Sequence, residues 1–516
     1  MGPLPRLIVT GASGFVGRRL LEMLQGSYRI EAVDRLSAAE SGVGLGPNMR
    51  WHQVELCEPA PVDRLFAELR ADGPADFLIH LAAYYDFSGE DHPEYHRTNV
   101  DATRHVLEAC RGLGLRRFIF ASSVAACAFP KPGAAITELT PPDGDHLYAE
   151  TKRLGEAMVR EASRYFPTAI VRFAALFSDW CEYAPLFHFL DTWLSESWNA
   201  RILGGHGRSA VPYLHVRDLI LFLQRVLERA DRLEPAEVLI ASPDGAVSHR
   251  QLFEVATRYV YGEARRPILM PKALAIPGMW GRCKLGRLLG HQPFERVWMG
   301  RYIDFSLTVD SHRSRERLDW APRPRMEILR RLPFLIENWK SDPAEWYRRN
   351  LDMARAARLR PNLLLYYLLE RHEAAISERF TERLRVEADT PHYRDLPAEE
   401  HAWHHRLVLR NLLNAVRTRE RAVFRTYCAD LAERRAGQGF AESEVREALR
   451  LLREVTLEVL QRDPEAAPLR EAIHDYVLVT IDFGIDAIEE VFEGLRAGFV
   501  PEPAAPQHAT PGAHRG

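Results

Sequence analysis

A glycine-rich turn close to the N-terminus constrains the fold more than any other feature. The apolar run Leu7–Thr10 leads into it, and Gly11, Gly14 and Gly17 follow at intervals of three residues. A strand, a tight glycine turn and a helical pattern in this order are typical of the first βα unit of a dinucleotide-binding sheet. Gly11 permits the sharp turn, Gly14 lets a pyrophosphate approach the backbone, and Gly17 lets the helix pack closely on the sheet. The sequence therefore predicts a phosphate site at the start of this helix.

Short apolar runs alternate with helical segments through the first two-thirds of the chain. The runs cover residues 29–33, 77–80, 118–121, 169–173 and 238–240, and helical patterns cover 99–112 and 148–165. This alternation predicts an α/β Rossmann fold with a doubly wound parallel sheet. We expect residues 1–345 to form this domain, with a small substrate lobe mainly at 177–215 and 262–330.

The residue that ends the second predicted strand indicates which dinucleotide binds. The carboxylate of Asp34 can accept both hydroxyls of an adenosine ribose and would repel a 2′-phosphate, which favours NAD over NADP. Arg35 argues the other way, because a guanidinium beside the ribose can hold that phosphate. The residues expected to contact the cofactor in these two segments are Gly11, Ser13, Gly14, Phe15, Val16, Gly17, Asp34 and Arg35.

A tyrosine and a lysine, Tyr148 and Lys152, stand four residues apart and therefore share one face of a helix. A free phenol has a pKa of about 10 and is a poor base at neutral pH, but a nearby ammonium together with the positive nicotinamide ring would lower that pKa. Tyr148 can then exchange a proton with an alcohol whose carbon loses hydride. Ser123 follows a predicted strand at the sheet edge where ligands bind, so its hydroxyl can hydrogen-bond the reacting oxygen. The adjacent Ser122 also fits a turn cap.

These motifs, in this order, resemble the extended short-chain dehydrogenase/reductase family, the NAD-dependent epimerase/dehydratase group, over residues 1 to about 340. The matching segments are the glycine turn, residues 80–83, Asn99-Val100, residues 120–123, Tyr148 with Lys152, Arg172-Phe173 and residues 215–218. The resemblance implies that Ser123, Tyr148 and Lys152 are catalytic. It implies further cofactor contacts at Leu81, Ala82, Ala83, Asn99, Tyr148 and Lys152, with Lys152 on the nicotinamide ribose and Asn99 supporting the proton relay.

Two departures from the family pattern bear on the substrate. Ala175 stands where sugar-nucleotide members usually carry Asn, and residues 126–128 read Ala-Cys-Ala where those members usually carry Tyr-Gly. Residues 122–126 resemble the 3β-hydroxysteroid dehydrogenase-like branch, and so does the apolar, basic segment 268–289. The resemblance implies oxidation or reduction of a lipophilic secondary alcohol or ketone. Segment 268–289 is expected to be either a core helix or a peripheral membrane contact.

Two other functions stay open at this point. One is the epimerisation or dehydration of a nucleotide sugar, which uses the same residues with tightly held NAD. The other is an NAD-sensing regulator, in which the first domain reads the state of NAD and the helical part contacts a partner. The intact Ser123, Tyr148 and Lys152 argue against a pure sensor, whereas the appended helices favour a regulatory output.

The sequence changes character from Leu351 onward, where glycine becomes scarce and apolar residues recur at helical spacing. We predict an all-α helical bundle over 346–499 and a disordered tail over 500–516. Residues 419–452 resemble the helical N-terminal domains of RsbR-type stress regulators, which implies a sensor or interaction role. Apolar helix faces also suit a homodimer. His401, His404 and His405 share a helix face, but no accompanying Cys or Glu spacing supports a metal site, so no metal is expected.

The bulk composition excludes several classes of protein. The net charge of −3 gives no overall field that favours nucleic acid, and none is expected as a partner. The six cysteines form no CxxC pair, which predicts neither a disulfide framework nor a zinc site and fits the cytoplasm. The sequence contains no run of 18 apolar residues, so we expect no transmembrane helix, and the N-terminus lacks the pattern of a signal peptide.

Overall fold

The computed structural model describes residues 4–87, 89–288, 293–350 and 361–496. The chain divides into two compact units. The first comprises Met1–Asp342 with Trp346–Ala357, and the second comprises Pro343–Glu345 with Arg358–Gly516. The first unit thus reaches beyond residue 345, where the sequence predicts its end. The predicted disordered tail lies outside the described residues.

One parallel sheet organises the first unit. The strands of the described residues are β1 Arg6–Thr10, β2 Arg29–Asp34, β3 Met49–Gln53, β4 Phe77–His80, β5 Arg117–Ser123, β6 Thr168–Phe173, β7 Ala175–Phe177, β8 Ile202–Gly204, β9 Ala210–Val211, β10 Tyr213–His215, β11 Ala236–Ala241, β12 Val247–Ser248 and β13 Ile268–Met270. Seven of them pair in the order β3-β2-β1-β4-β5-β6-β11, all parallel. The predicted doubly wound sheet is confirmed, and its topological switch point lies between β1 and β4.

Helices cover both faces of the sheet. Those of this part of the chain are α1 Phe15–Leu24, α2 Ala38–Ser41, α3 Pro59–Ala71, α4 Pro93–His96, α5 Ala102–Ala109, α6 Leu147–Ala162, α7 Ala184–Trp193, α8 Val216–Glu228, α9 His249–Tyr261, α10 Lys272–Leu288, α11 His312–Leu318, α12 Ile328–Ser341 and α13 Pro343–Arg349. Apolar residues of α1 and α8 fill one core, and those of α3, α5 and α6 fill the other. Because both faces are buried, most strands read as continuous apolar runs.

The third strand of the sheet is the one that sequence patterning misses. β3 reads Met-Arg-Trp-His-Gln, and both Arg50 and Gln53 are exposed. It lies at the edge of the sheet beside β2, where one side of the strand faces solvent. An edge strand of this kind has neither a continuous apolar run nor a regular alternation, so periodicity does not reveal it.

The second unit is built from helices, as predicted. They are α14 Pro361–Arg371, α15 Glu373–Val386, α16 Pro391–Arg394, α17 Ala398–Thr418, α18 Ala422–Gly437, α19 Glu442–Gln461, α20 Arg470–Ile473 and α21 Val479–Arg496. Leu412, Phe424 and Leu452 belong to its single apolar core. α18 and α21 pack closely at Gly484, where an added Cβ would lie 2.7 Å from the Phe424 ring. The side chains of His401, His404 and His405 lie outside the described residues.

Candidate active site

The glycine turn lies at the carboxyl end of β1, at the switch point of the sheet. Gly11 has a φ of +69°, and a Cβ there would lie 2.7 Å from the backbone nitrogen of Ala82. A Cβ on Gly17 would lie 2.4 Å from the Gly11 carbonyl oxygen. Because backbone atoms cannot yield as a flexible side chain can, both positions require glycine. The turn therefore leaves a narrow, side-chain-free cradle of the kind that a pyrophosphate needs.

The helix that follows the turn presents its amino end at this edge of the sheet. α1 begins after Gly14, and among the described residues no side chain caps it. Its first turn contains Phe15 and Val16 and carries no acidic residue. The first N–H groups of a helix have no intrahelical partner, and the helix dipole adds a partial positive charge there. This arrangement favours an anion.

Asp34 closes the other side of the cradle at the end of β2. Its Oδ2 accepts a hydrogen bond from the Ser13 backbone N–H at 2.8 Å, and its Oδ1 accepts one from the Leu36 N–H at 3.1 Å. The side chain is only 7% exposed, whereas Arg35 is exposed. Backbone hydrogen bonds thus fix the Asp34 carboxylate beside the glycine turn, whereas the Arg35 side chain lies at the surface.

Ser123 and Tyr148 meet across the space between β5 and α6. Ser123 is the last residue of β5, and its Oγ accepts a hydrogen bond from the Ala125 N–H at 3.1 Å. Tyr148 lies in the first turn of α6, which His146 caps by accepting the Ala149 N–H at 3.2 Å. Ser123 and Tyr148 line the same cavity, and the Ser123 side chain lowers the pKa of the Tyr148 phenol. The structure therefore places side by side two residues that the sequence analysis assigns to the same site.

Lys152 lies one helical turn after Tyr148, buried beneath it. Its Nζ donates a hydrogen bond to the Ala121 carbonyl oxygen at 2.8 Å and lies 5.7 Å from the centre of the Tyr148 ring. The ammonium is therefore held by the strand backbone, close to the phenol ring but not bonded to its hydroxyl.

The pKa of Tyr148 departs from the sequence-based expectation. Burial raises this pKa above its ordinary value, and the nearby Ser123 side chain opposes the rise. Burial lowers the pKa of the Lys152 ammonium to about 8, although the Glu156 carboxylate opposes that shift. Lys152 does not contribute to the pKa of Tyr148 here, and the lowering expected from Lys152 together with a bound nicotinamide ring stays a prediction. Desolvation is the larger effect, and it disfavours the phenolate of Tyr148.

Asn99 organises the loop that follows β4. It lies in a π-helical segment, Arg97–Asp101, and is buried. Its Oδ1 accepts the Tyr84 N–H at 2.7 Å, and its Nδ2 donates to the Tyr84 carbonyl oxygen at 2.9 Å and to Thr151 Oγ1 at 3.1 Å. Both ends of the amide are occupied, so Asn99 ties this loop to α6. The geometry supports a positioning role, and the support of a proton relay by Asn99 stays a prediction.

Several other landmark residues prove to be structural. Ser122 Oγ donates to Glu156 Oε1 at 2.7 Å, and the fully buried Arg172 binds both oxygens of Glu156 at 2.9 Å. Ser122 therefore anchors a buried ion pair instead of capping a turn. His215 caps α8 by accepting the Arg217 N–H at 3.1 Å. In these contacts Ser122, Arg172 and His215 bind other parts of the fold and not Tyr148.

A cavity of about 640 Å³ opens beside Ser123 and Tyr148, and both residues line it. Its walls are mostly apolar and aromatic, with Phe87, Tyr183, Trp193, Tyr213, Met279, Phe294, Trp298 and Phe305 among the lining residues. Arg282 is the only lysine or arginine among the described residues of the lining, and it lies 3.5 Å from the Glu295 carboxylate. The cavity suits an apolar molecule with few charged groups.

Sequence patterning misses Tyr85, which packs directly on Tyr148. Their ring centres are 4.2 Å apart, and the Phe87 ring lies 4.4 Å from Tyr85 on its other side. Tyr85 comes just after residues 81–83, which follow β4 at the switch point. An aromatic residue directly after a motif that lines the ligand crevice is the signal that could have identified it.

The cavity wall also contains a strained turn. Cys181 and Glu182 have φ values of 74° and 52°, a region that non-glycine residues adopt at a cost of about 1 kcal/mol or more each. Asn350 stabilises this turn: its Oδ1 accepts the Glu182 N–H at 2.9 Å and its Nδ2 donates to the Trp180 carbonyl oxygen at 2.7 Å. A residue beyond the predicted boundary at 345 therefore supports the wall of the cavity.

Comparison with known proteins identifies the first part of the chain. Residues 7–241 match the family model described as the NAD dependent epimerase/dehydratase family. The match covers slightly less than half of the chain. The match spans the glycine turn, Asp34, Ser123, Tyr148 and Lys152. The resemblance predicted from the motifs is thus confirmed.

The curated relatives in this family have several activities. D-erythronate dehydrogenase of Haemophilus influenzae is 30% identical over 31% of this chain and 50% of its own length. Probable UDP-arabinose 4-epimerase 3 of Arabidopsis thaliana is 28% identical over 32% and 42%. The 3 beta-hydroxysteroid dehydrogenase/Delta 5→4-isomerase of Monkeypox virus is 26% identical over 30% and 45%. The chain spans half or less of the length of these relatives.

Solved structures share the fold of the first unit. A variant of UDP-glucuronic acid 4-epimerase from Bacillus cereus is 16% identical, with a TM-score of 0.50 over 65% of this chain and 99% of that chain. The dTDP-glucose 4,6-dehydratase of Bacillus anthracis is 15% identical, with a TM-score of 0.50 over 67% and 99%. At such identities the likeness establishes the fold and not the substrate. No helix in the described part of the chain is long and apolar enough to cross a membrane.

Proposed function

We propose that the first unit is an NAD-dependent oxidoreductase that interconverts a secondary alcohol and a ketone on a lipophilic substrate. The observation that carries this proposal is that Ser123 and Tyr148 both line one largely apolar cavity. Tyr148 supplies a proton donor and Ser123 a hydrogen-bonding hydroxyl, and the cavity beside them has room for an apolar molecule. The proposal also rests on the match of residues 7–241 to a family that is NAD-dependent by its description.

The residues around the glycine turn fit NAD. Gly11 and Gly17 keep the cradle free of side chains, the amino end of α1 faces it, and Asp34 is held beside it by backbone hydrogen bonds. In this proposal the pyrophosphate lies on the first N–H groups of α1, and Asp34 accepts the adenosine ribose hydroxyls. When bound, NAD supplies the acceptor or donor of hydride at the reacting carbon.

Tyr148 moves the proton that accompanies this hydride. In the reducing direction its protonated hydroxyl donates to the carbonyl oxygen, and in the oxidising direction the phenolate takes the alcohol proton. Because burial raises the pKa of Tyr148, the phenolate that the oxidising direction requires is costlier to form. Ser123 orients the reacting oxygen by a hydrogen bond. In this proposal Lys152, whose Nζ lies 5.7 Å from the centre of the Tyr148 ring, holds the nicotinamide ribose.

The cavity favours an apolar substrate over a nucleotide sugar. A nucleotide diphosphate carries two negative charges, which proteins usually neutralise with lysine, arginine or helix amino ends. Arg282 is the only such side chain among the described lining residues, and Glu295 lies 3.5 Å from it. A diphosphate in this cavity would therefore be poorly compensated.

The second candidate is a nucleotide-sugar epimerase or dehydratase. The similarity to UDP-arabinose 4-epimerase 3 favours it, because that relative matches the chain about as well as the dehydrogenases do. The same Ser123, Tyr148 and Lys152 would serve this chemistry, with tightly held NAD that is reduced and reoxidised in one cycle.

A substrate series separates the two candidates. We expect kcat/KM for NADH-dependent reduction of ketones to rise about fourfold for each added methylene, because burying one stabilises binding by about 0.8 kcal/mol. The series would run from acetone to long-chain 2-ketones and a 3-ketosteroid. UDP-glucose and UDP-galactose serve as the matched polar compounds. Interconversion of these two sugars, with no activity on any ketone, would favour the epimerase and overturn the oxidoreductase.

We also propose that the second unit contributes self-association or regulation, in a homodimer located in the cytoplasm. The unit has its own apolar core and the catalytic candidates all lie in the first unit. All six cysteines are unpaired, which suits a reducing compartment.

A further inference from the structure

Helix α10 presents two different faces. Ala275, Met279 and Arg282 line the cavity. Leu274, Trp280 and Leu285 line no part of it and are 64%, 58% and 57% exposed. The spacing of each set keeps its members on one side of the helix. The helix is therefore a wall of the cavity and not the core helix that the sequence also allows.

The exposed face continues into the strand before it. Ile268 and Leu269 of β13 are 51% and 40% exposed. Together with Leu274, Trp280 and Leu285 they form a set of large apolar side chains within 18 positions of the sequence, which we call the α10 face. Single exposed apolar residues are common on soluble proteins, but a cluster of this size marks an interaction surface.

The charge of this segment identifies the kind of partner. Residues 262–289 contain six basic residues and one acidic residue, although the whole chain has a net charge of −3. One of the six, Arg282, lines the cavity beside Glu295, which leaves five basic residues outside the cavity. The Lys284 ammonium lies 5.5 Å from the Trp280 ring, so a cation and an amphipathic aromatic ring stand side by side. Basic residues interleaved with Trp and Leu are the combination that binds an anionic lipid interface, where the apolar groups enter the bilayer surface and the cations contact headgroups.

We propose that the α10 face docks on an anionic lipid bilayer and brings the cavity to its surface. The same helix contacts the bilayer with Leu274, Trp280 and Leu285 and the cavity with Ala275 and Met279. A lipophilic substrate therefore passes from the bilayer to Tyr148 without crossing much water. The identity of the substrate rests on the proposed function, whereas the docking of the face does not.

Vesicle flotation of the full chain tests the docking. We expect binding to vesicles of phosphatidylcholine with about 30% phosphatidylglycerol, and at least fivefold weaker binding to pure phosphatidylcholine, because each basic residue near an anionic surface contributes about a fivefold factor. The triple variant Leu274→Ser, Trp280→Ser, Leu285→Ser should bind at least tenfold more weakly. Leu139→Ser is the matched control, since Leu139 is 83% exposed and lies outside this segment. NADH titration of each variant verifies that the first unit is folded.

The outcomes separate this proposal from the proposed function. Loss of vesicle binding in the triple variant, with NADH binding and ketone reduction in solution retained, supports the docking. Absence of binding to both vesicles, or equal binding by the triple variant, overturns it even if the enzyme reduces ketones. A triple variant that changes from dimer to monomer in light scattering, with no vesicle binding by the parent chain, would assign the face to a second copy and also overturn the docking.

Discussion

The two sides of the candidate active site are built in different ways. The cofactor side is formed by backbone: the φ of Gly11, the approach of Ala82 and the N–H groups that hold Asp34 are all main-chain features. The substrate side is formed by aromatic and aliphatic side chains that come from segments between residues 85 and 307. Backbone geometry tolerates little change, whereas a wall of side chains can be remodelled one residue at a time. Single substitutions can therefore change the substrate of such a site more easily than its cofactor.

The largest effect should come from crowding the cofactor side. Gly11→Ala places a Cβ 2.7 Å from the Ala82 nitrogen at a φ of +69°. Backbone strain of about 1–2 kcal/mol and overpacking of about 1–3 kcal/mol add together, so we expect about 3 kcal/mol less stability. NADH should bind at least tenfold more weakly. Urea unfolding and NADH fluorescence titration measure both quantities.

Gly42→Ala is the matched control for this variant. Gly42 has nearly the same φ, +67°, but a Cβ there would meet no atom within 4 Å. It should therefore lose only the strain contribution of about 1–2 kcal/mol and keep its affinity for NADH. Equal losses in both variants would mean that the close approach at Ala82 has no role in binding the cofactor.

A smaller effect is expected from neutralising Asp34. Asp34→Asn keeps the shape of the side chain but removes the charge that repels a 2′-phosphate. We expect the ratio of NADPH to NADH affinity to rise about tenfold, measured by paired fluorescence titrations. Arg35→Ala should leave the preference for NADH intact or strengthen it. A wild-type chain that binds NADPH more tightly would overturn the assignment of NAD and point to Arg35.

The same contrast explains what the sequence could predict. The glycine turn, Asp34, Ser123 and Tyr148 lie in short motifs next to strand ends, so local patterns locate them and the parallel sheet brings them together. The ring contact between Tyr85 and Tyr148 and the support of Glu182 by Asn350 join residues that are far apart in sequence. No local period encodes such contacts.

Two further features could not be predicted fully from the sequence: the pKa of Tyr148 and the role of the second unit. The motif suggests that Lys152 lowers the pKa of Tyr148, but burial, which depends on the whole fold, raises it. The helical content of the second unit follows from its periodicity. Its resemblance to stress-regulator domains rests on a short segment and stays a prediction, as do its role and the independence of the two units.

The central claim is that Tyr148 transfers the proton while the cofactor side binds NAD independently of it. The most direct test is the rate of ketone reduction by Tyr148→Phe, with Tyr85→Phe as the matched control, since the two rings lie 4.2 Å apart. We predict that Tyr148→Phe lowers kcat/KM by about 10²–10⁴-fold and changes the Kd for NADH by less than about twofold. Tyr85→Phe should retain at least about a tenth of the rate. A Tyr148→Phe variant with a rate near that of the wild type, or an equal loss in Tyr85→Phe, would contradict the account.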